Sequence, residues 1–350
     1  VLELRQARLE VLVPDARGLH VLEELLHDGV HLDRLEERIL LVAACEQGVV
    51  GDLLLGHQVR LTQSYDGADC DILIGLHARR SADSIRRYRE RHPRLPLVVV
   101  LTGTDVYRDI HRDRKAQKSL EYASRLVVLQ RKALSEIPGR LQRKTRVIYQ
   151  SAESVPARQP RPNGAFDVCV IGHLRAEKDP LRTAMAVRAL PLKSRIRVTH
   201  IGQALDPLLE KKAREEVRRN PRYRWIGQLS HKKTRQRLAQ SRLLCITSKM
   251  EGSSNVLSEA LASGVPVVAA EISGLMGTLG RVFIGFFPVG ANKSLRRLLL
   301  RAETDSKFYR RLKHHSAELA RLVKPKREID TWRKLLSDAI STRSNNNPLS

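Results

Sequence analysis

The sequence predicts an α/β protein of two doubly wound domains facing each other across a cleft, each a parallel sheet with helices on both sides. Three observations carry this. Short apolar runs of strand length recur along the chain with helical stretches between them. A stretch rich in Pro, Gly and polar residues, 155–164, interrupts the series, and the alternation starts afresh after it. The 350 residues suffice for two domains of ordinary size.

Residues 1–50 carry the weakest signal: residues 19–41 have a helical apolar pattern broken near Gly29, and no strand followed by a Gly-rich turn and helix is visible. Residues 57–62 alternate like a strand, and 70–76 form a buried-strand run ending at His77. A helix is expected over 82–91 and strands over 96–101, 126–129 and 146–149. The first domain then spans 1–153, atypical over 1–50, with the linker at 154–164. The second, 165–327, has strands at 166–171, 196–201, 223–226, 243–247 and 265–270, and helical runs at 294–302 and 307–321. A C-terminal helix over 328–341 and a polar, disordered tail over 342–350 close the chain.

Composition narrows the function classes. No apolar run approaches the roughly 18 residues of a membrane helix, and the first residues lack the cationic start and apolar stretch of a secretory signal. A soluble cytoplasmic protein is expected. Cys45, Cys70, Cys169 and Cys245 show no paired metal or redox spacing, and the last three lie in or beside strand-like runs, as buried reduced thiols do. The formal charge of +25 favours anionic partners: nucleotides, phosphorylated acceptors, nucleic acid or an acidic membrane surface. With 4% aromatic residues there is no stacking platform for single strands, and no helix-turn-helix or RNA-binding signature points to specific nucleic-acid recognition.

The most informative stretch is 251–266, where a strand, a loop, a helix and a second strand meet. Ser253, Ser254 and Asn255 start the helix, Gly264 and Pro266 stop it, and it is expected over 255–263. Ligands of open parallel sheets sit beyond the carboxyl ends of the strands, against helix N-termini. Glu251 lies at that mouth, and Asn255 and Glu259, four apart, share a helix face. An anion held by the N–H groups of Asn255, Val256 and Leu257, with a hydroxylated group held by the two carboxylates, describes a nucleotide sugar. The residues alone equally admit Glu251 as a cap and Glu259 as a solvated helical carboxylate.

A second cluster follows the strand 166–171, before a helix placed from Pro180. There Arg175 suits bidentate phosphate contact and Lys178 acts as a point charge, together able to neutralise a diphosphate leaving group; solvated surface cations are the alternative. His77, Thr104 and Asp105 end two neighbouring strands, where the histidine could bond a sugar hydroxyl or act as base, or serve as a cap. Asp69-Cys-Asp71 has the Asp-x-Asp spacing of metal-dependent sugar transferases but precedes its strand, so it is read as a turn and no metal site is assigned.

Glu251-Gly-Ser-Ser-Asn-Val-Leu-Ser-Glu259 resembles the two-glutamate signature of retaining family-four glycosyltransferases, whose GT-B fold pairs two Rossmann-like domains across a cleft. Gly172-His-Leu-Arg-Ala-Glu-Lys178 resembles that family's cationic phosphate clamp, with His173 standing where the family usually has Arg. More narrowly, Leu76-His-Ala-Arg-Arg-Ser81, Val100-Leu-Thr-Gly-Thr-Asp-Val-Tyr-Arg-Asp109, the clamp through Pro180, and Gly274-Leu-Met-Gly-Thr-Leu-Gly280 look like the branch containing the selenosugar synthase of selenoneine biosynthesis.

The resemblance implies UDP-glucose or UDP-N-acetylglucosamine as donor, selenophosphate as acceptor, and no metal or other cofactor. Arg175, Lys178 and Glu251 would be catalytic, and Glu259 would bond the ribose hydroxyls. His173, Ser254 and the amides of Asn255, Val256 and Leu257 would bind the nucleotide sugar, with His77, Thr104 and Asp105 on the acceptor side. The family begins with a strand and a Gly-rich loop, which residues 1–50 do not display; without them activity would be lost. The alternatives are a lipid or glycan acceptor at an acidic membrane surface, and an inactive nucleotide-sugar or nucleic-acid binding protein.

Overall fold

The computed structural model describes residues 8–12, 58–156 and 164–344. It divides into two units, Val1–Ser151 with Pro325–Ser350 and Ala152–Lys324, each built on a six-stranded sheet.

The first sheet contains β1 (Arg8–Leu12), β2 (Gln58–Thr62), β3 (Ile72–Leu76), β4 (Leu97–Leu101), β5 (Arg125–Val128) and β6 (Thr145–Val147), in the order β2-β1-β3-β4-β5-β6 and parallel throughout. Here β1 corrects the sequence reading. Residues 1–50 do supply a strand, inserted between β2 and β3 with Leu9 opposite Val59 and Ile72. The helical pattern over 19–41 and the position of the Gly-rich loop lie outside the described residues.

Every residue of β3 and β4 is buried, as a strand covered on both faces requires. Alternate side chains go to opposite layers. Leu73, Val99 and Leu101 pack with Ile85 and Tyr88 of α1 (Ala82–Arg91) and Leu120 of α2 (Arg114–Tyr122). Ile72, Ile74, Val98 and Val100 pack with Trp332, Leu335 and Leu336 of the C-terminal helix, Pro325–Ser344. That helix starts three residues before the expected bound, since Pro suits a first turn, and continues into the expected tail as far as Ser344.

The second sheet contains β7 (Phe166–Ile171), β8 (Ile196–Ile201), β9 (Tyr223–Trp225), β10 (Leu243–Ile246), β11 (Val267–Ala270) and β12 (Phe286–Phe287), in the order β12-β11-β10-β7-β8-β9. All its pairings are parallel. Its helices are α3 (Arg182–Val187), α4 (Pro207–Arg219), α5 (His231–Ala239), α6 (Asn255–Ala262), α7 (Ser273–Leu279), α8 (Asn292–Thr304) and α9 (Ser306–Leu319). The chain winds outward from β7 through β8 to β9, then returns to place β10 on the other side of β7. That reversal opens a crevice at the carboxyl ends of β7 and β10, where doubly wound sheets take ligands.

The bounds also differ at the linker. Ala152 N–H donates to Val323 O and Val155 N–H to Ser263 Oγ, so both residues are fastened to the second unit; residues 157–163 lie outside the described set. Among the described residues no helix is long and apolar enough to cross a membrane.

Candidate functional site

The loop leaving β7 is pinned by neutral hydrogen bonds. His200, buried on β8, meets Gly172 O with Nε2 at 2.9 Å and Tyr223 OH with Nδ1 at 2.7 Å. The carbonyl can only accept, so the proton sits on Nε2 and the tyrosine donates to Nδ1. Burial pushes the His200 pKa down to about 4, which keeps this pin uncharged at neutral pH. Gly202 lies alongside, where a Cβ would come within 2.1 Å of Gly172 O.

Beyond Gly172 the backbone makes a short turn over Ala176–Lys178 and reverses at Asp179, whose φ of 44° is left-handed. α3 therefore starts at Arg182, two residues later than a start at Pro180. Arg182 grips the Asp179 carboxylate at 2.8 Å and also donates to Gly290 O and Asn292 Oδ1. From the β10 side, Thr247 Oγ1 lies 3.0 Å from both Lys178 O and Asp179 O, and Lys249 N–H donates to Glu177 O. The turn is thus tied to the far side of the crevice.

These ties bring Lys178 to Glu251. Lys178 Nζ lies 2.6 Å from Glu251 Oε1, and Ser248 Oγ donates to the same oxygen at 2.6 Å. The side chains are 19% and 10% exposed, so the pair opens to solvent at one edge of a narrow recess lined by Gly172, Lys178, Thr247 and Ser248. Gly274, at the start of α7, backs Glu251: a Cβ there would fall 1.9 Å from Glu251 O. On the preceding helix, Ser254 caps α6 by accepting from Leu257 N–H, and Glu259 meets His231 Nε2 at 2.7 Å. A wider groove of about 380 Å³, lined by Arg224, Lys233 and Arg237, contains neither glutamate.

In the first unit His77 takes a left-handed φ of 71° at the end of β3. Arg80 N–H lies 3.4 Å from its Nδ1, leaving the Nε2 proton for Thr104 Oγ1 at 3.0 Å. Burial lowers the His77 pKa and Arg80 adds to this, while Asp105 and Asp109 pull the other way. Asp109 is held by Arg79 and Arg108 at 2.9 and 3.0 Å, and these bonds outweigh burial to keep its pKa below the usual carboxylate value.

Residues 151–318 match the family model described as glycosyl transferases group 1. The match covers nearly all of the second unit. Among solved structures, HepE of Anabaena in complex with UDP and glucose is 15% identical at a TM-score of 0.66, over 96% of this chain and 100% of that one. HepE with UDP-glucose gives 0.67 at 15% identity, over 95% and 100%. Sucrose-phosphate synthase of Thermosynechococcus elongatus gives 0.69 at 14% identity, over 97% and 100%. At such identities the likeness is one of fold, the expected GT-B class of two Rossmann-like domains. No curated protein matches the sequence.

Within the matched segment, Lys178 and Glu251 are in contact, and Glu259 lies on the adjoining helix. Arg175 is exposed, and its guanidinium makes no ion pair among the described residues. His173 is half-buried and accepts Gln203 N–H at Nδ1. Asn255 and Val256 form the half-buried first turn of α6. Two expectations are corrected. The Leu257 N–H is taken by the Ser254 cap and is not offered to a ligand. Asp105 of the first unit is 0% exposed, and its carboxylate accepts from the N–H groups of Ala78, Thr102 and Gly103. It fastens two strand-end loops to each other and presents no oxygen to a substrate. Ser248 and His231 were invisible to sequence reasoning, since a lone Ser or His in a loop or at a helix start carries no periodic signal.

Proposed function

We propose that the chain is a glycosyltransferase of hexosyl type that takes UDP-glucose or UDP-N-acetylglucosamine as donor and selenophosphate as acceptor, in a reducing cytoplasm and without a metal. The observation that carries the reading is the Lys178–Glu251 pair at 2.6 Å, placed where the order of the second sheet reverses, with Glu259 on the next helix. The HepE structures, which hold UDP, glucose and UDP-glucose, support the choice of donor.

In this reading the diphosphate lies over the β7 loop and the first turn of α6, whose dipole favours negative charge. As the bond from the sugar to the diphosphate breaks, Lys178 meets the charge growing on UDP, and exposed Arg175 adds to the field. Glu251 turns to the donor sugar and Glu259 to the ribose. The selenium of selenophosphate attacks the anomeric carbon as an anion, so no strong general base is needed. In the first unit, neutral His77 and Thr104, with Arg79 and Arg80 beside them in sequence, are the groups suited to binding the selenophosphate anion. The buried thiols of Cys169 and Cys245, pushed up to about 12 by burial, are unreactive bystanders.

Thermal unfolding with added UDP tests the nucleotide site. Saturation at a hundredfold over Kd stabilises by about 2.7 kcal/mol, and this gain should vanish in Lys178→Ala and Glu259→Ala. Non-specific polyanion binding would instead decline steeply with salt in all variants. Mass spectrometry of products from UDP-sugar and selenophosphate tests the acceptor: UDP released with no selenium-bearing sugar defeats that part alone. The charge of +25 favours, as a second reading, a lipid or glycan acceptor at an acidic membrane surface. Failure to pellet with anionic liposomes counts against it.

A further inference from the structure

His231 is the first residue of α5, and the Ser230 before it makes no side-chain capping bond. Helix-start residues of this kind are usually solvated, and His231 is 59% exposed. Its imidazole is nevertheless laid against the Glu259 carboxylate, which is 11% exposed, with Nε2 2.7 Å from Oε1. A carboxylate only accepts, so Nε2 carries the proton and donates. Among the described residues, no other side chain or backbone group donates to that carboxylate. The end of a Glu side chain turns about a broad, weakly hindered torsion. A single strong donor on one oxygen therefore decides the plane of the whole group.

We propose that His231 is a positioning residue that fixes the Glu259 carboxylate for the two neighbouring hydroxyls of a ribose. This rests on the nucleotide-sugar reading of the same site. Each carboxylate oxygen has room for two donors. Oε1 keeps the imidazole and takes one hydroxyl, and Oε2 takes the other. Because the pair is open to solvent on the histidine side, it adds little to folding stability. Its effect falls on the discrimination of ribose from 2′-deoxyribose.

Calorimetric titration with UDP and with 2′-deoxy-UDP tests this on the full chain, as wild type, His231→Ala and His231→Gln. Losing a hydrogen bond to a charged group lowers affinity ~10-fold or more, so wild type should prefer UDP by that factor. In His231→Ala the preference should shrink to about twofold or less, as the carboxylate loses its fixed plane. In His231→Gln, whose amide can donate to the same oxygen, most of the preference should return. The unliganded Tm should hardly move in either variant. If His231→Ala keeps the wild-type ratio, or Gln restores nothing, the inference is overturned while UDP binding stands. If wild type binds no UDP, the nucleotide reading fails and takes the inference with it.

Discussion

Gly274 has no space for a side chain, because a Cβ would lie 1.9 Å from the backbone oxygen of Glu251. Backbone cannot yield as the tip of a side chain can, so Gly274→Ala must shift either α7 or Glu251. Glu251 Oε1 already serves two donors at 2.6 Å each, an arrangement that a displacement of even a few tenths of an ångström spoils. A misplacement of about 1 Å costs on the order of 100-fold in rate. Gly274→Ala should therefore lose turnover by roughly that factor with its circular dichroism unchanged, and wild-type turnover would refute the close approach. Lys178, Glu251 and Glu259 were legible as residues because strand ends and helix spacing bring charges together predictably. Asp105 was legible only as a polar residue at a strand end. Whether such a carboxylate faces a substrate or closes on backbone N–H groups depends on the turn that follows, and here the turn folds back onto it.

At the scale of elements, α6 depends on its cap. Ser254 Oγ accepts from Leu257 N–H at 3.4 Å, and losing such a cap costs about 1 kcal/mol. Ser254→Ala should lower stability by that amount in denaturant titration and weaken UDP binding, since the first turn of α6 frays where the diphosphate is proposed to sit. The β7–β8 pair carries a pH dependence through His200. Burial holds folded His200 at about 4 against the ordinary 6.5 of a solvated imidazole, so between these values the unfolded chain binds the extra proton. Its contribution is complete above 6.5 and is lost as pH falls toward 4, a total of about 3 kcal/mol. His200→Gln, which can still donate to Gly172 O, should flatten the loss of Tm over that window; an unchanged slope would mean His200 is not the responsible group. The long Val, Leu and Ile runs of β3, β4, β10 and β11 could be read from sequence because both their faces are buried. β1 escaped because Arg8-Leu-Glu-Val-Leu12 alternates only over its first four residues, and β12 because two residues show no period.

The described residues form two sheets with separate cores, and the C-terminal helix belongs to the first although its sequence follows the second. Nothing in its apolar spacing says which sheet it covers, since an amphipathic stripe fits any exposed sheet face. Trp332 decides the matter physically: it is 1% exposed and packs with Ile72, Ile74, Val98 and Val100, contributed by β3 and β4. Its indole Nε1 has no hydrogen-bond partner among the described residues, so the ring contributes apolar packing at the cost of a buried, unmet donor. Trp332→Phe should then be close to neutral, because it removes the orphan N–H while retaining most of the packing. Trp332→Ala should cost about 3–5 kcal/mol through the cavity it opens. Hydrogen exchange read peptide by peptide locates the damage. Protection should fall in β3, β4 and β5, while β7 and β10, which share no core residue with Trp332, should exchange as in wild type. Equal loss of protection in both sheets, or destabilisation by Trp332→Phe as large as by Trp332→Ala, would show that the indole does more than fill the face of the first sheet.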